Sequence, residues 1–296
     1  MSIEIHKVHP LFGAEVIGTQ VCSPMSDADF RIVRDAFEEY SVLVFRGQQL
    51  NDPGHIAFSR RFGPLETTVK GNPAAGSNFA RQSNLDINTG EVIPPEDKRI
   101  SYMKAARLWH TDSSFKPVPA LCSLLAGHVI PPEGGNTEFA AGRPAWDELP
   151  EALKRKIVGR FAVHSQMHTL SLAANEVITD EMRDEIEPVD QPMVRINPVN
   201  DRRNIYLGMH AFRVLGMSDD EGRALIAEVN QHLTQPRYVY SHPWQPGDLV
   251  IWDNRAVLHR ATPYDSVKYK RMLQRTTVAG DEAAYQRERE LHMEAA

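Results

Sequence analysis

Apolar residues in the second half of the chain occur in short runs that turn-forming residues separate. Runs rich in β-branched and aromatic residues, bounded by Gly, Pro, Asn or Asp, are typical of β-strands. Six runs have this form: LCSLLAGHVI (121–130), MVRI (193–196), NIYLG (204–208), RYVYS (237–241), DLVIW (248–252) and RMLQRTTV (271–278). They predict a fold dominated by short strands.

Helical patterns occur before and between these runs. Residues 26–40 begin with a capping serine and place apolar residues on one helical face, and SVLVF (41–45) follows as a strand. Two more helices are predicted at 143–160 and 218–233. Because strands and helices do not alternate regularly, the pattern favours a mostly β sandwich or jelly roll with flanking helices over a parallel α/β sheet.

Two segments lack such patterns. Residues 67–107 are rich in Gly, Asn, Ser and Pro, and so long a stretch inside a compact chain is usually a functional loop. We therefore expect one domain over residues 1–296, with a lid-like insertion at about 67–107. The charged tail after Gly280 is expected to be solvated.

Composition and charge exclude several classes of partner. The 296 residues have a formal net charge of -6, which gives no electrostatic reason to bind nucleic acid or a membrane. No signal-peptide layout and no run of eighteen apolar residues is present. Cys22 and Cys122 are too few for a disulfide scaffold or a cysteine-rich zinc site. We expect a soluble cytoplasmic protein that acts on a small molecule.

His110 and Asp112, in WHTDSSF, are candidate metal ligands. Residues two apart in an extended chain project to the same face, so both side chains could bind one ion. The spacing alone is close to chance, but His259, after the strand DLVIW, supplies a third ligand if a barrel joins the strand ends. Two imidazoles and one carboxylate suit a non-haem Fe(II) oxygenase, and they could equally hold Zn²⁺ for hydrolysis.

Two arginines distinguish these alternatives. Arg271 and Arg275 are four apart and point to one face of the predicted strand. An inward-facing arginine needs an anionic partner, and its fork geometry suits a carboxylate, so a dicarboxylate cosubstrate is a natural occupant. A zinc hydrolase would not need this pair, and a non-catalytic ligand-binding barrel would lack the metal.

The sequence resembles the taurine dioxygenase family of Fe(II)/2-oxoglutarate oxygenases, and within it the phenoxyacetate herbicide dioxygenases most. The matching segments are SVLVFRGQ, HIAFSRRFGPLE, LWHTDSSF, PPEGGNTEF and GDLVIWDNRAVLHR, and the resemblance covers about residues 5–280. It implies a double-stranded β-helix, which is a cupin-like jelly roll, with flanking helices. It also implies Fe(II), with 2-oxoglutarate and O₂ as cosubstrates, and a homodimer or homotetramer.

The same resemblance assigns roles to individual residues. Within it, Arg271 clamps the distal carboxylate of 2-oxoglutarate, and Arg275 lies near the metal. The implied roles are metal ligation by His110, Asp112 and His259, 2-oxoglutarate binding by Thr137, Arg271 and Arg275, and substrate binding by Lys70, His210 and Arg275.

The implied reaction hydroxylates a small anionic substrate and releases succinate and CO₂. The specific expectation is an aryloxyalkanoate whose ether bond then cleaves, and the alternative is a taurine, alkylsulfonate or alkyl sulfate ester dioxygenase. Ala106 stands where taurine dioxygenases resemble one another in having an asparagine. This difference favours a larger and more apolar substrate.

Several other polar residues are expected to be structural. His164 and His168 form an H-x-x-x-H that lacks the glutamate of a zincin, and His128 is expected to be hydrogen-bonded in the core. Asp253 and Asn254 are candidates to orient His259.

Overall fold

Fifteen strands in four sheets form the framework of this computed structural model, which describes residues 2–68, 76–86, 88–173, 178 and 187–294. The strands are β1 (Glu4–Lys7), β2 (Ala14–Ile17), β3 (Val42–Phe45), β4 (Ala80–Ser83), β5 (Cys122–Val129), β6 (Thr137–Ala141), β7 (Phe161–His164), β8 (Val189–Pro192), β9 (Val194–Ile196), β10 (Arg203–Ile205), β11 (Ala211–Val214), β12 (Val239–His242), β13 (Leu249–Asp253), β14 (Val257–Ala261) and β15 (Met272–Val278). The helices are α1 (Asp27–Tyr40), α2 (Asp52–Arg60), α3 (Lys98–Ala105), α4 (Gly142–Asp147), α5 (Glu151–Ile157), α6 (Gln166–Ala173), α7 (Asp219–Leu233) and α8 (Glu282–Glu294). The predicted mostly-sheet fold with flanking helices is confirmed.

The largest sheet has seven strands in the order β1-β2-β3-β13-β5-β15-β4, and its strands pair antiparallel except for β2 and β3. Strand β13 is buried along its whole length, which accounts for its continuous apolar sequence. One face of the sheet packs on α1 and α2, around Phe37 and Phe58. The opposite face packs on the three-stranded sheet β12-β6-β14, around Phe139. The candidate ligands and arginines lie between these two sheets.

Strand alternation decides which side chains enter the space between the sheets. On β5, Leu124 packs toward α1 and α2, whereas Leu125 packs toward the smaller sheet. Leu273 on β15 also packs toward the smaller sheet, and Arg275 pairs with Leu125 across the ladder. Because side chains alternate along a strand, Arg271, Leu273 and Arg275 share one face.

The helix predicted at 143–160 is wrong as a single element. The structure has two helices there, α4 and α5, with Pro150 at the junction. Proline has no backbone N–H to donate, and it restricts the residue before it, so the helical pattern cannot continue through this position. The helix predicted at 218–233 is confirmed as α7, and Ser218 and Glu221 form a capping box at its start.

The segment predicted as a lid contains regular structure. Strand β4 pairs with β15 at the edge of the large sheet, and α3 follows it. Within the described residues, no helix is long and apolar enough to span a membrane.

The C-terminal tail, which could have been helical or disordered from its sequence, forms a helix that is solvated on one side and buried on the other. Residues 282–294 form α8, and its Glu288 is 4% exposed and bonded to Arg195 on β9, at 2.8 Å from Nε and 2.6 Å from Nη2. Tyr285 donates to Gln191 of β8, and His292 is also buried. The sequence did not predict this docking, because the residues on the buried face of α8 are polar or charged.

We expect Glu288→Gln to lower the free energy of unfolding by about 3–5 kcal/mol, because it leaves the buried Arg195 without a counter-charge. Urea unfolding at neutral pH measures the change. Glu290→Gln, on the exposed side of the same helix, is the matched control and should change stability by less than about 0.5 kcal/mol. Equal effects of the two variants would contradict this role of the ion pair.

Candidate active site

Two histidines from distant parts of the chain are joined by their backbones. His259 lies in β14, and His110 lies beside it at the edge of the smaller sheet. His110 N–H donates to the His259 carbonyl at 3.0 Å, and His259 N–H donates to the His110 carbonyl at 2.7 Å. Their ring centroids are 4.2 Å apart. These two backbone hydrogen bonds therefore fix the positions from which both imidazoles extend.

Asp112 completes the group. One ligand atom from each of His110, Asp112 and His259 lies within 4.8 Å of the others, and the described residues contain no second group of this kind. His259 Nε2 is 3.8 Å from Asp112 Oδ2. The predicted triad is thus brought together by the fold.

The protonation of the three side chains suits a cation. Burial lowers the pKa of His110 and lowers that of His259 further, so both rings are neutral and have a free lone pair. His110 Nδ1 lies 2.7 Å from the Leu108 carbonyl, which leaves Nε2 for a ligand. Burial alone would raise the pKa of Asp112, but the charge of Arg275 and the hydrogen bond from Ser123 lower it, and the carboxyl is ionised.

Both carboxylate oxygens of Asp112 have protein partners. Ser123 Oγ donates to Oδ2 at 2.6 Å, and Arg275 Nη1 donates to Oδ1. Asp112 is only 5% exposed. Two neutral imidazoles and one ionised, oriented carboxylate fit a divalent metal such as Fe(II), with positions left for other ligands.

A cavity beside the triad is lined by both polar and apolar side chains. It is lined by Gln82, Ala106, His110, Leu125, Thr137, Trp252, His259, Ala261, Arg271, Leu273 and Arg275. The two arginines predicted to share one face therefore both reach it.

Arg271 is a buried cation without an acidic partner among the described residues. It is 6% exposed, its Nη2 donates to the Gly135 carbonyl at 3.1 Å, and its buried Nε has no hydrogen-bond partner. Burial lowers the pKa of Arg271 to about 10, although Tyr264 opposes the shift. A buried guanidinium in this state calls for an anionic ligand.

Gly135 makes room for this guanidinium. Its φ is +69°, and a Cβ built there would lie 3.2 Å from Arg271 Nε. Any other residue would be strained and would crowd the arginine. Gly135, the second glycine of PPEGGNTEF, therefore leaves the space that the Arg271 guanidinium occupies.

Thr137 lies at the start of β6 and lines the same cavity. Trp244 Nε1 donates to Thr137 Oγ1 at 3.0 Å. Since an indole N–H can only donate, the threonine oxygen is the acceptor and its own hydrogen is free to donate elsewhere. This polarity suits a carboxylate in the cavity.

The model of the taurine catabolism dioxygenase TauD, TfdA family matches residues 4–277. The chain belongs to the TauD/TfdA family. Among its relatives, the α-ketoglutarate-dependent 2,4-dichlorophenoxyacetate dioxygenase of Burkholderia sp. (strain RASC) is 38% identical over 285 residues, covering 95% of each chain. The (S)-phenoxypropionate/α-ketoglutarate dioxygenase of Sphingobium herbicidovorans is 33% identical, covering 96% of this chain and 97% of the relative.

A solved structure of AAD-2 in complex with Mn(II) and N-oxalylglycine has a TM-score of 0.87 and 38% identity, covering 95% of this chain and 98% of that one. These findings confirm the predicted family and the predicted class of enzyme, a dioxygenase.

His210, one of the residues predicted to bind the substrate, lies beside the metal group. Its ring is edge-on to those of His110 and Phe115, at centroid distances of 6.0 Å and 5.1 Å. Thr169 Oγ1 donates to the Met209 carbonyl, so it accepts from His210 Nδ1, 2.9 Å away. Burial lowers the pKa of His210 to about 3, and the ring is neutral. Lys70 lies outside the described residues.

The remaining histidines are not metal ligands in this arrangement. His164 on β7 bonds to Ser114 Oγ at 3.0 Å, and His168 on α6 stacks on Phe212. They lie on different elements and do not form a helical H-x-x-x-H pair. The expectation that His128 is hydrogen-bonded is wrong, since its buried Nε2 has no partner among the described residues.

Two residues that contact the site were missed in the sequence. Ser123 contacts Asp112 from β5, and Trp244, in the loop before β13, contacts Thr137. Strand alternation placed Ser123 on the same face as Leu125, which was the available signal. No local pattern indicates that Trp244 reaches Thr137.

We expect His259→Ala to weaken Mn(II) binding by more than the roughly 10- to 100-fold that loss of a supporting residue costs, because it removes a ligand. Isothermal titration of the metal-free protein measures the affinity. His168→Ala removes a histidine outside the triad and should leave the affinity unchanged. A drop with His168→Ala of equal size would contradict the assignment.

Proposed function

We propose that the protein is an Fe(II)- and 2-oxoglutarate-dependent dioxygenase that hydroxylates a small anionic aryloxyalkanoate, with release of succinate and CO₂. The observation that supports this function best is the buried Arg271, which has no acidic partner among the described residues and lines the same cavity as the two histidines of the triad. A zinc hydrolase would not require such a cation. The relatives named as α-ketoglutarate-dependent dioxygenases agree with the predicted cosubstrate, 2-oxoglutarate being the same compound.

We also propose that the two facing sheets, β12-β6-β14 and the large sheet, form a single double-stranded β-helix of the cupin-like jelly-roll type. The packing of Phe139 against Trp252 and Leu125 between these sheets supports it. The one-domain organisation, the lid role of residues 67–107 and assembly into a homo-oligomer stay predictions.

His110, Asp112 and His259 would hold Fe(II), and Fe(II) supplies the activation of O₂ that no side chain can perform. The protein contributes the orientation of these ligands. The backbone bridge fixes the two imidazoles, and Ser123 and Arg275 fix Asp112. Asp112 and His259 are buried and His110 is partly buried, which limits the access of bulk water to them.

Arg271 and Thr137 would bind the distal carboxylate of 2-oxoglutarate. The guanidinium can donate two parallel hydrogen bonds to a carboxylate. Thr137 can donate one more, because its oxygen accepts from Trp244 and its own hydrogen remains available. Arg275 lies closer to the metal group through its contact with Asp112, and it would face the keto-acid end or the substrate anion.

The substrate would lie beside the metal group near His210 and Phe115, whose rings are in contact with each other. Ala106 lines the cavity, and its small apolar side chain supports an aryl substrate over a sulfonate. Hydroxylation of the carbon that bears the ether oxygen gives an unstable product. This product collapses to a phenol and a 2-oxo acid as the bond between the carbon and the aryl ether oxygen breaks and the hydroxyl proton passes to the departing phenol oxygen.

Substrate-dependent succinate release tests this function. Protein loaded anaerobically with Fe(II) receives 2-oxoglutarate, air and either phenoxyalkanoates, alkylsulfonates or alkyl sulfate esters. We expect phenoxyalkanoates to stimulate succinate formation and to yield a phenol. Stimulation by sulfonates or sulfate esters alone would show that the substrate belongs to the alternative class. Absence of Fe(II)-dependent succinate formation would contradict the whole proposal.

Arg271→Met tests the cosubstrate clamp, since methionine keeps much of the side-chain length and removes the charge. A hydrogen bond to a charged group contributes about 1.5–3 kcal/mol, so the KM for 2-oxoglutarate should rise roughly 10- to 100-fold. Steady-state kinetics with varied 2-oxoglutarate measure it. Arg213→Met, at an exposed position of β11, is the control, and an unchanged KM in Arg271→Met would show that the clamp is elsewhere.

A further inference from the structure

Asn254 lies in the turn between β13 and β14 and contacts the metal group through Asp112. It is fully buried. Its backbone carbonyl accepts from Thr111 Oγ1 at 2.7 Å, and its Oδ1 accepts from Asp112 N–H at 3.3 Å. Its Nδ2 donates to Ser123 Oγ at 3.1 Å. One side chain thus contacts both the segment that contains Asp112 and the residue that binds its carboxylate.

The chemistry of the neighbours fixes the direction of every bond in this chain of contacts. Trp252 Nε1, 2.9 Å from Asn254 Oδ1, and Asp112 N–H can only donate, so the amide oxygen must face them. The amide nitrogen then faces Ser123 and donates to it. Ser123 has one hydrogen, and the ionised Asp112 can only accept, so that hydrogen goes to Asp112 Oδ2.

We propose that Asn254 is a positioning residue for the metal site, which acts by directing the Ser123 hydroxyl onto Asp112. The inference rests on the proposed function, because it takes Asp112 as a metal ligand. It also corrects the expectation from the sequence that Asn254 orients His259. Its side chain contacts Asp112, Thr111, Ser123 and Trp252 instead.

The carboxylate needs this support because its terminal torsion is otherwise soft. Arg275 binds Oδ1 from one side and Ser123 binds Oδ2 from the other. Removing the serine contact leaves the arginine as the main restraint, and the carboxylate can then turn toward it and away from the imidazoles. Loss of residues that orient metal ligands typically lowers metal affinity roughly 10- to 100-fold.

A double-mutant cycle on metal binding tests the proposal. The full-length metal-free protein is titrated with Mn(II) by calorimetry for the wild type, Ser123→Ala, Asn254→Asp and the double variant. Asn254→Asp keeps the shape of the side chain and its acceptor oxygen, but it replaces the donor to Ser123 by an acceptor that competes for the serine hydrogen. Any through-space effect of the new carboxylate is shared by both backgrounds and cancels in the cycle.

We expect Ser123→Ala to lower Mn(II) affinity roughly 10- to 100-fold. The factor by which Asn254→Asp changes the affinity should differ by at least about tenfold between the Ser123 and the Ser123→Ala backgrounds, because the effect passes through the serine. The visible absorption of the Co(II)-loaded protein, which reports ligand geometry, should shift in both single variants. Thr276→Val, which removes a buried hydroxyl from the other face of β15, is the control for folding.

Wild-type affinity in Ser123→Ala, or factors for Asn254→Asp that agree within about threefold in the two backgrounds, would overturn the proposal. If Asn254→Asp does not fold, Ser123→Ala alone still decides, through both the Mn(II) affinity and the Co(II) spectrum. Failure of the wild type to bind Mn(II) is a different result, since it would remove the proposed metal site itself.

Discussion

The pair of backbone hydrogen bonds between His110 and His259 is the constraint on which the site depends. It joins the segment before Asp112 to the edge strand of the smaller sheet, and thereby sets the separation of the two imidazoles. Side chains could not hold this spacing by themselves, because nothing bonds to His259 Nδ1 within the described residues. The metal geometry therefore depends on a backbone bridge to the edge strand of a sheet, which is more rigid than a side-chain contact.

Two arginines give the cavity and the adjoining metal group an excess of positive charge. With both histidines neutral, Asp112 contributes one negative charge, and Arg271 and Arg275 contribute two positive charges, which leaves one positive charge before any metal binds. A divalent cation would raise this excess further. A dicarboxylate cosubstrate and an anionic substrate then neutralise the site, and this explains how a chain with net charge -6 can bind acids.

Hydrophobic patterns in the sequence predicted more of the fold than of the polar residues that support the site. Period-two alternation was sufficient to place Arg271 and Arg275 on one face, and resemblance assigned the triad that the fold then assembled. The docking of α8 was missed because its buried contact, Glu288 with Arg195, is charged in the sequence. Trp244 was missed since its partner Thr137 is distant in the chain. Polar residues that pair across long separations leave no local signal.

A buried ionic network holds the turn between β13 and β14 in place. Asp253 accepts from Arg143 and Arg255, and Arg255 also donates to Glu38 of α1 at 2.8 Å. Such networks contribute little net stability, because desolvation of each charge offsets the attraction. The network instead fixes the position of the turn. Asp253 lies in the network, the adjacent Asn254 contacts Asp112, and His259 follows in β14. The turn is therefore fixed by charge pairs on one side so that its other side can orient the metal ligands.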